Sequence, residues 1–422
     1  MTTLNVQNSC DDENEQGTLT VENALHHMLS AVSERTGGEQ VHLTTAVDRV
    51  LDKSIVSPIN VPSHRNAAVD GYAMMQADLP ASGEIARLSI VGRVVAGHPH
   101  KGDLQAGDCI QIMTGAQMPD LADTVIMQEH VEVHGNKIHI DARHNAGQNV
   151  RQAGEDIQSG QTILQAGTKL TPPQIGLIAS LGIAEFQVKT PLVVAVFSTG
   201  DEVLSIGDAP REGCIYDSNR YSIMSALKKI GCSVLDMGVI ADEPDKLRNA
   251  FELASKSADV IFTSGGVSVG EADYTKQVLS EAGSINFWKV AMKPGRPIAF
   301  GNIGDAIFFG LPGNPVAVMV TFYQFALPCL QKMMGLTTPL IAPMIKAKCT
   351  QSIRKISGRT EFQRGILSKG IDDEWQVSTT GQQGSGILKS MSDANAFIIL
   401  EHERSSIKEG EWVQVQPFSA LF

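Results

Sequence analysis

Residues 193–202 read VVAVFSTGDE and residues 260–276 read VIFTSGGVSVGEADYTK. Each begins as an apolar run without polar alternation, passes into small hydroxyl and glycine residues, and then reaches carboxylates. Between and after them lie a helical pattern near Ser218 to Ile230, a strand from Val234 to Ile240, a helix from Glu243 to Ser257, and a helix near Tyr274 to Ala282. Continuous apolar strands alternating with helices predict a parallel sheet covered on both faces. Such sheets bind ligands in the crevice beyond the carboxyl ends of their strands, where STGDE and TSGG both fall. A long apolar helix is expected to begin near Pro315.

Outward from this α/β unit the pattern changes. Thr20 is placed as the N-cap of an amphipathic helix running to about Ser33, with Val21, Ala24, Leu25, Met28, Leu29 and Val32 at helical spacing. From about Val56 to Arg151, short β-rich runs (Leu88 to Val95, Cys109 to Met113, Thr124 to Gln128) predict a separate β domain. Residues 160 to 190 combine a strand with a helix starting at Thr171-Pro172-Pro173-Gln174. Beyond about Leu340, strands at Met344 to Cys349, Trp375 to Thr379, Ala396 to Leu400 and Trp412 to Val415 predict a second β domain.

The 422 residues lead us to expect two to four domains. With 42% hydrophobic and 19% charged residues the chain is expected to fold. Its formal charge of −12, with no basic run to offset it, speaks against nucleic acid and acidic lipid as partners. The six cysteines are far apart and form no C-x-x-C pair, so they encode neither a zinc site nor a disulfide framework, and a reducing cytoplasm is expected. No signal peptide and no apolar stretch long enough for a membrane span is seen.

Three loops carry the chemistry. In TSGGVSVGEADYTK, glycine allows backbone N–H groups close to an anion, although a strand-to-helix turn would also use it. Ser264, Gly265, Gly266 and Ser268 are the candidate anion contacts. Asp273 would repel a bare phosphate and suits a cation between them, hence Mg²⁺. In WKVAMKPGRP, Lys289, Lys293 and Arg296 are interleaved with proline and glycine in a stiff loop, which favours an anion pocket over a solvated face. GLPGNP, with Pro312 and Pro315, presets a turn before a helix N-terminus. Asp201 and Glu202, Asp242, and Asp273 follow three predicted strands; each would also serve as a helix cap or surface residue, and the four could converge as oxygen ligands of a hard cation. Read alone, VDGYA around Asp70, the turn at Thr114, and Gly154-Glu155-Asp156 after Arg151 are Asx turns and caps.

Seven runs together resemble the MoeA-type molybdopterin molybdenumtransferases: VDGYAM from Val69, IMTGA from Ile112, GED from Gly154, FSTGDE from Phe197, TSGGVSVGEADYT from Thr263, KPGRP from Lys293 and GLPGNPV from Gly310. They occur in the family's order from about Thr20 to Phe422. The resemblance implies an α/β plus β fold similar to the gephyrin E domain, in an elongated, multi-domain homodimer. It implies domain I from 20–56 and 152–190 and a β-rich domain II over 57–151 that acts as a lid over the partner subunit. A MogA-like α/β domain III would span 191–336, and a C-terminal β-barrel-like domain IV would span 337–422.

The implied reaction joins molybdate to adenylylated molybdopterin with Mg²⁺ and releases AMP. On this resemblance Glu202, Asp242 and Asp273 organise the metal, and Ser264, Gly265, Gly266 and Ser268 hold the molybdopterin phosphate side. Lys289 and Lys293, with Arg296 beside them, face substrate, while Pro312 and Pro315 wall the pocket. Asp70 and Thr114, with Arg151 and Asp156, cross the dimer cleft, and Arg364 in FQRG and Ser385 in TGQQGS add molybdate or substrate contacts. Implied partners are a MogA-type adenylyltransferase and apo molybdoenzymes; a gephyrin-like scaffold and a MogA-type adenylyltransferase are the alternative readings of the chain itself. The chain departs from the family where His64-Arg65-Asn66-Ala67 stands for an FDNSAM-type run, where Arg296 replaces a lysine, and at Ala317 in place of serine.

Overall fold

The computed structural model describes residues 18–265, 274–337 and 342–421. In the α/β unit we number β1 (Thr18–Leu19), α1 (Val21–Ala31), β2 (Val193–Thr199), α2 (Asn219–Lys229), β3 (Ser233–Ile240), α3 (Pro244–Ser257), β4 (Val260–Ser264), α4 (Tyr274–Ala282), β5 (Ser284–Val290), β6 (Pro297–Ile303), β7 (Ala306–Leu311) and α5 (Pro315–Thr321). The strands form one sheet in the order β1-β5-β6-β7-β4-β2-β3. Its β7-β4-β2-β3 part is parallel, as expected from the apolar runs. The sequence reading left out β5, β6 and β7, and β6 runs antiparallel to both neighbours. A hairpin through Gly304, at φ 57°, joins β6 to β7.

Both faces of the sheet are covered. On one side Val194, Val196, Phe262 and Phe309 pack with α1, α2 and the helices after Pro315, and Phe262 stacks on Phe309 at 5.0 Å between ring centroids. On the other, Ala195, Phe197, Ile261 and Phe308 pack with α3 and α4 through Leu247, Phe251, Val278 and Leu279. Removing such side chains from water is the main stabilising term, at about 25 cal/mol per Å² of apolar surface. The apolar run after Pro315 is three pieces rather than one helix: α5, a π-helical turn over Phe322–Ala326, and a helix over Leu327–Met333. Pro328, which has no N–H for the carbonyl four residues back, comes two residues after the π turn.

Thr20 caps α1 as expected, its hydroxyl accepting from the Asn23 N–H at 3.2 Å. The sequence groups this helix with residues 152–190, but Ala24, Met28 and Val32 are buried in the α/β core. Gly38–His42 does pair with Glu185–Lys189, and Ala46, Leu51, Ile157, Leu170, Ile178 and Phe186 form a small core of their own. Within 57–151, six strands form a sheet in the order Thr124–Met127, Gly71–Met74, Asp108–Ile112, Ile85–Val94, Lys137–Asp141, Glu132–His134.

After residue 342, Thr360–Lys369, Trp375–Thr379, Ile345–Cys349, Trp412–Pro417 and Ala396–Leu400 close into a five-stranded barrel, the last strand pairing with the first. The sequence reading lacked Thr360–Lys369, whose Glu361, Gln363 and Arg364 are polar yet buried. Cys109, Cys214, Cys232, Cys329 and Cys349 are free. Among the described residues no helix is long and apolar enough to cross a membrane.

Candidate active site

The strand register brings the motif loops together. Ser198 on β2 lies opposite Ser264 on β4, Ser264 lies opposite Leu311 on β7, and Thr199 lies opposite Ile240 on β3. The next residues, Gly200 to Glu202, Gly265, Pro312, and Ala241 with Asp242, therefore leave the sheet from one edge. Backbone geometry shapes that edge. Gly265, at φ 92°, approaches β2 so closely that a Cβ there would stand 2.6 Å from the Thr199 carbonyl oxygen. Gly200, at φ 133°, leaves room for the Glu202 carboxylate, 2.6 Å from where its own Cβ would be.

Asn219 at the start of α2 fastens two of the loops. Its side-chain amide donates to Ser264 Oγ at 2.7 Å and to the Gly313 carbonyl at 2.7 Å, joining β4 to the GLPGNP turn. The sequence reading missed it; the polar run Asp217-Ser218-Asn219-Arg220 ahead of an apolar helix was the available signal. Next to it, the buried Arg220 guanidinium donates to Asp217 at 2.9 Å and also pairs with Asp236, fixing the start of α2. Ser198 Oγ and Asn219 Oδ1 are buried without a hydrogen-bond partner among the described residues. Glu202 is exposed and Asp242 half-buried. These donors are all oxygen, which suits a hard cation such as Mg²⁺. Gly266, Ser268 and Asp273 lie outside the described residues.

The cationic loop leads from the sheet into the barrel. Lys289 lies half-buried next to the end of β5, and Arg296 is half-buried after Gly295. Met292 and Lys293 pair in parallel with Thr360 and Glu361 of the barrel, and Lys293 Nζ stands 4.0 Å from Glu361. A cavity of about 300 Å³ opens here, lined by Lys293, Arg354, Glu361, Gln363, Arg364 and Gln383, among others. Arg364 is only 1% exposed. Its guanidinium donates to Ser390 Oγ at 3.0 Å and the Gly384 carbonyl at 3.0 Å, and burial pushes it down to about 10, still charged at neutral pH. It thereby holds the loop carrying Ser385, whose carbonyl accepts from the Val316 N–H at 3.0 Å in the first turn of α5. Pro315 is the first residue of that helix, and Pro312 is buried in the turn before it.

Asp70 and Thr114 meet within the 57–151 sheet. Both the Thr114 N–H and its hydroxyl donate to one Asp70 oxygen, each at 2.7 Å, and hold the carboxyl below its usual range. Arg151 lies in a two-residue bridge, Val150–Arg151 against Asn66–Ala67, and Asp156 donates its N–H to the Val61 carbonyl; both side chains are exposed. Arg65, one of the departures, donates to the carbonyls of Asp120 and Ala122 at 2.9 and 3.1 Å, closing the 119–122 turn. Ala317 is buried, and its carbonyl accepts from Thr321 Oγ1 at 2.6 Å.

Among the described residues, the one trio of potential ligand atoms within 4.8 Å of one another lies elsewhere, at Glu132, His134 and His139. The sequence reading counted cysteines and passed over this histidine-bearing hairpin.

A multidomain α/β protein whose motif loops gather at the carboxyl ends of its parallel strands is what this arrangement defines. Residues 19–182 match the MoeA N-terminal region (domain I and II), residues 195–332 a probable molybdopterin binding domain, and residues 346–418 the MoeA C-terminal region (domain IV). A molybdopterin molybdenumtransferase of Haemophilus influenzae is 41% identical over 404 residues, 96% of this chain and 99% of that one. Gephyrin of Dictyostelium discoideum is 32% identical over 89% of this chain and 59% of its own length. The crystal structure of a molybdopterin biosynthesis moeA protein from Pyrococcus horikoshii superposes with a TM-score of 0.83 at 29% identity, covering 95% of this chain and 100% of that one. The chain belongs to the molybdopterin molybdenumtransferase family.

Proposed function

We propose that this protein inserts molybdate into adenylylated molybdopterin and releases AMP. The observation that carries the reading is the shared strand-end row, which supports placing Glu202, Asp242, Ser264 and Gly265 around one ligand. Both substrates are anions, so the −12 chain needs local positive charge. Lys289, Lys293 and Arg296 supply it in our reading, with Lys293 facing the cavity toward the barrel. Glu202, Asp242 and Asp273 would hold Mg²⁺, which supplies charge neutralisation at the phosphoanhydride when bound. Ser264, Gly265, Gly266 and Ser268 would bind the phosphate side, Pro312 and Pro315 would shape the wall, and Arg364 would position Ser385.

Asp70, Thr114, Arg151 and Asp156 would complete the site from the partner of a homodimer, with 57–151 acting as its lid. A cytoplasmic setting, hand-over from a MogA-type adenylyltransferase and delivery to apo molybdoenzymes follow from the same reading. The test incubates purified protein with adenylylated molybdopterin, molybdate and Mg²⁺, and measures AMP and cofactor activity transferred to an apo molybdoenzyme. Molybdate-dependent AMP release is expected in the parent. Asp273→Asn should lower turnover far more than melting temperature. AMP release indifferent to molybdate would overturn the assignment.

A further inference from the structure

The strands Glu132–His134 and Lys137–Asp141 form a hairpin at the edge of the 57–151 sheet. Its two-residue turn is Gly135-Asn136, with Gly135 at φ 64°, and His134 pairs with Lys137 across it. That register sets His139 directly opposite Glu132 and diagonal to His134. Strand alternation turns Ile138 and Ile140 into the core and leaves Glu132, His134 and His139 together on the other face. The two imidazole rings lie 4.3 Å apart between centroids, and His134 Nε2 is 3.6 Å from a Glu132 oxygen.

We propose that Glu132, His134 and His139 form a binding site for one borderline divalent transition ion, such as Zn²⁺, with solvent completing its coordination. Two imidazoles and one carboxylate on rigid, paired strands are the ligand types that such ions take, whereas the all-oxygen strand-end site suits a hard ion. A turn that fixes the register preorganises the three ligands, so little chain ordering opposes binding. Arg87 lies opposite His139 on the neighbouring strand and Lys137 opposite His134; both oppose a cation, while Glu132 and, two residues beyond His139, Asp141 favour it.

Titration calorimetry of the full chain, free of any histidine tag and stripped with chelator, should show one Zn²⁺ per chain bound at this site in the presence of excess Mg²⁺. His134→Ala and His139→Ala should each weaken that event by about 10-fold or more, and His130→Ala should leave it unchanged. Lowering the pH from 7 to 5.5 should weaken it at least about 10-fold, because metal must displace protons from the imidazoles. Melting temperatures of the three variants without metal should stay close to the parent's, since His130 and His134 are exposed and His139 is half-buried on the side of the hairpin opposite the core residues Ile138 and Ile140. Zn²⁺ binding of parental affinity in His139→Ala, or binding abolished by excess Mg²⁺, would overturn the proposal.

Discussion

Thr114 gives both of its donors to a single oxygen of Asp70, the backbone N–H having the larger effect on the carboxyl and the hydroxyl the smaller. Because the folded-state pKa lies below the ordinary 3.8, the contact is fully present above that value and is lost as pH falls through the folded pKa. Thr114→Val removes the hydroxyl and keeps the N–H. The Asp70 carboxyl, followed by carbon-detected NMR, should therefore titrate higher than in the parent yet still below its ordinary value. An unchanged midpoint would show that the hydroxyl has no hold on Asp70. Read alone both are turn residues, and only the resemblance of their runs, VDGYAM and IMTGA, singles them out. Asn219 does not stand out, because its two acceptors, Ser264 and Gly313, are 45 and 94 residues away, and no local spacing encodes such a meeting.

Strand ends and turns are where single atoms control elements. At Gly265 a methyl group would meet the Thr199 carbonyl oxygen, a backbone atom with no rotamer to yield, and φ 92° is costly for any L side chain. Gly265→Ala should thus lower unfolding stability by about 1–3 kcal/mol in urea titrations, with loss of substrate binding, as β2 and β4 are pushed apart at the site. A midpoint equal to the parent's would mean that the loop opens at no cost. β2 and β4 were legible because both of their faces are buried, which makes their sequences plainly apolar before turn residues, whereas β7, equally buried and parallel to β4, was not picked out. Thr360–Lys369 was not legible, since Glu361, Gln363 and Arg364 spend their polarity inward, on the barrel cavity and the 380–386 loop. The π turn at Phe322–Ala326 was hidden for the opposite reason: an unbroken apolar run reads as one helix whatever its hydrogen-bond spacing.

At the scale of the molecule, the α/β unit and the barrel are joined by the Met292-Lys293 ladder to Thr360-Glu361, which supports treating them as one working surface. The 57–151 sheet stands differently. Its two apolar clusters, around Ile110 and Val125 and around Ile126 and Ile138, contain no residue of the α/β unit. In the proposed homodimer a second copy of the chain would bring Asp70 and Thr114 to a strand-end crevice. That arrangement has an arithmetic consequence. If each site draws Asp70 from one subunit and Asp273 from the other, a dimer of one Asp70→Asn and one Asp273→Asn chain holds one doubly damaged site and one intact site. Random reassortment makes about half the dimers mixed, so two nearly inactive preparations, unfolded and refolded together in equal amounts, should recover about a quarter of parental AMP release. Sites built within single chains would give no recovery, because every chain in the mixture carries a lesion in its own site.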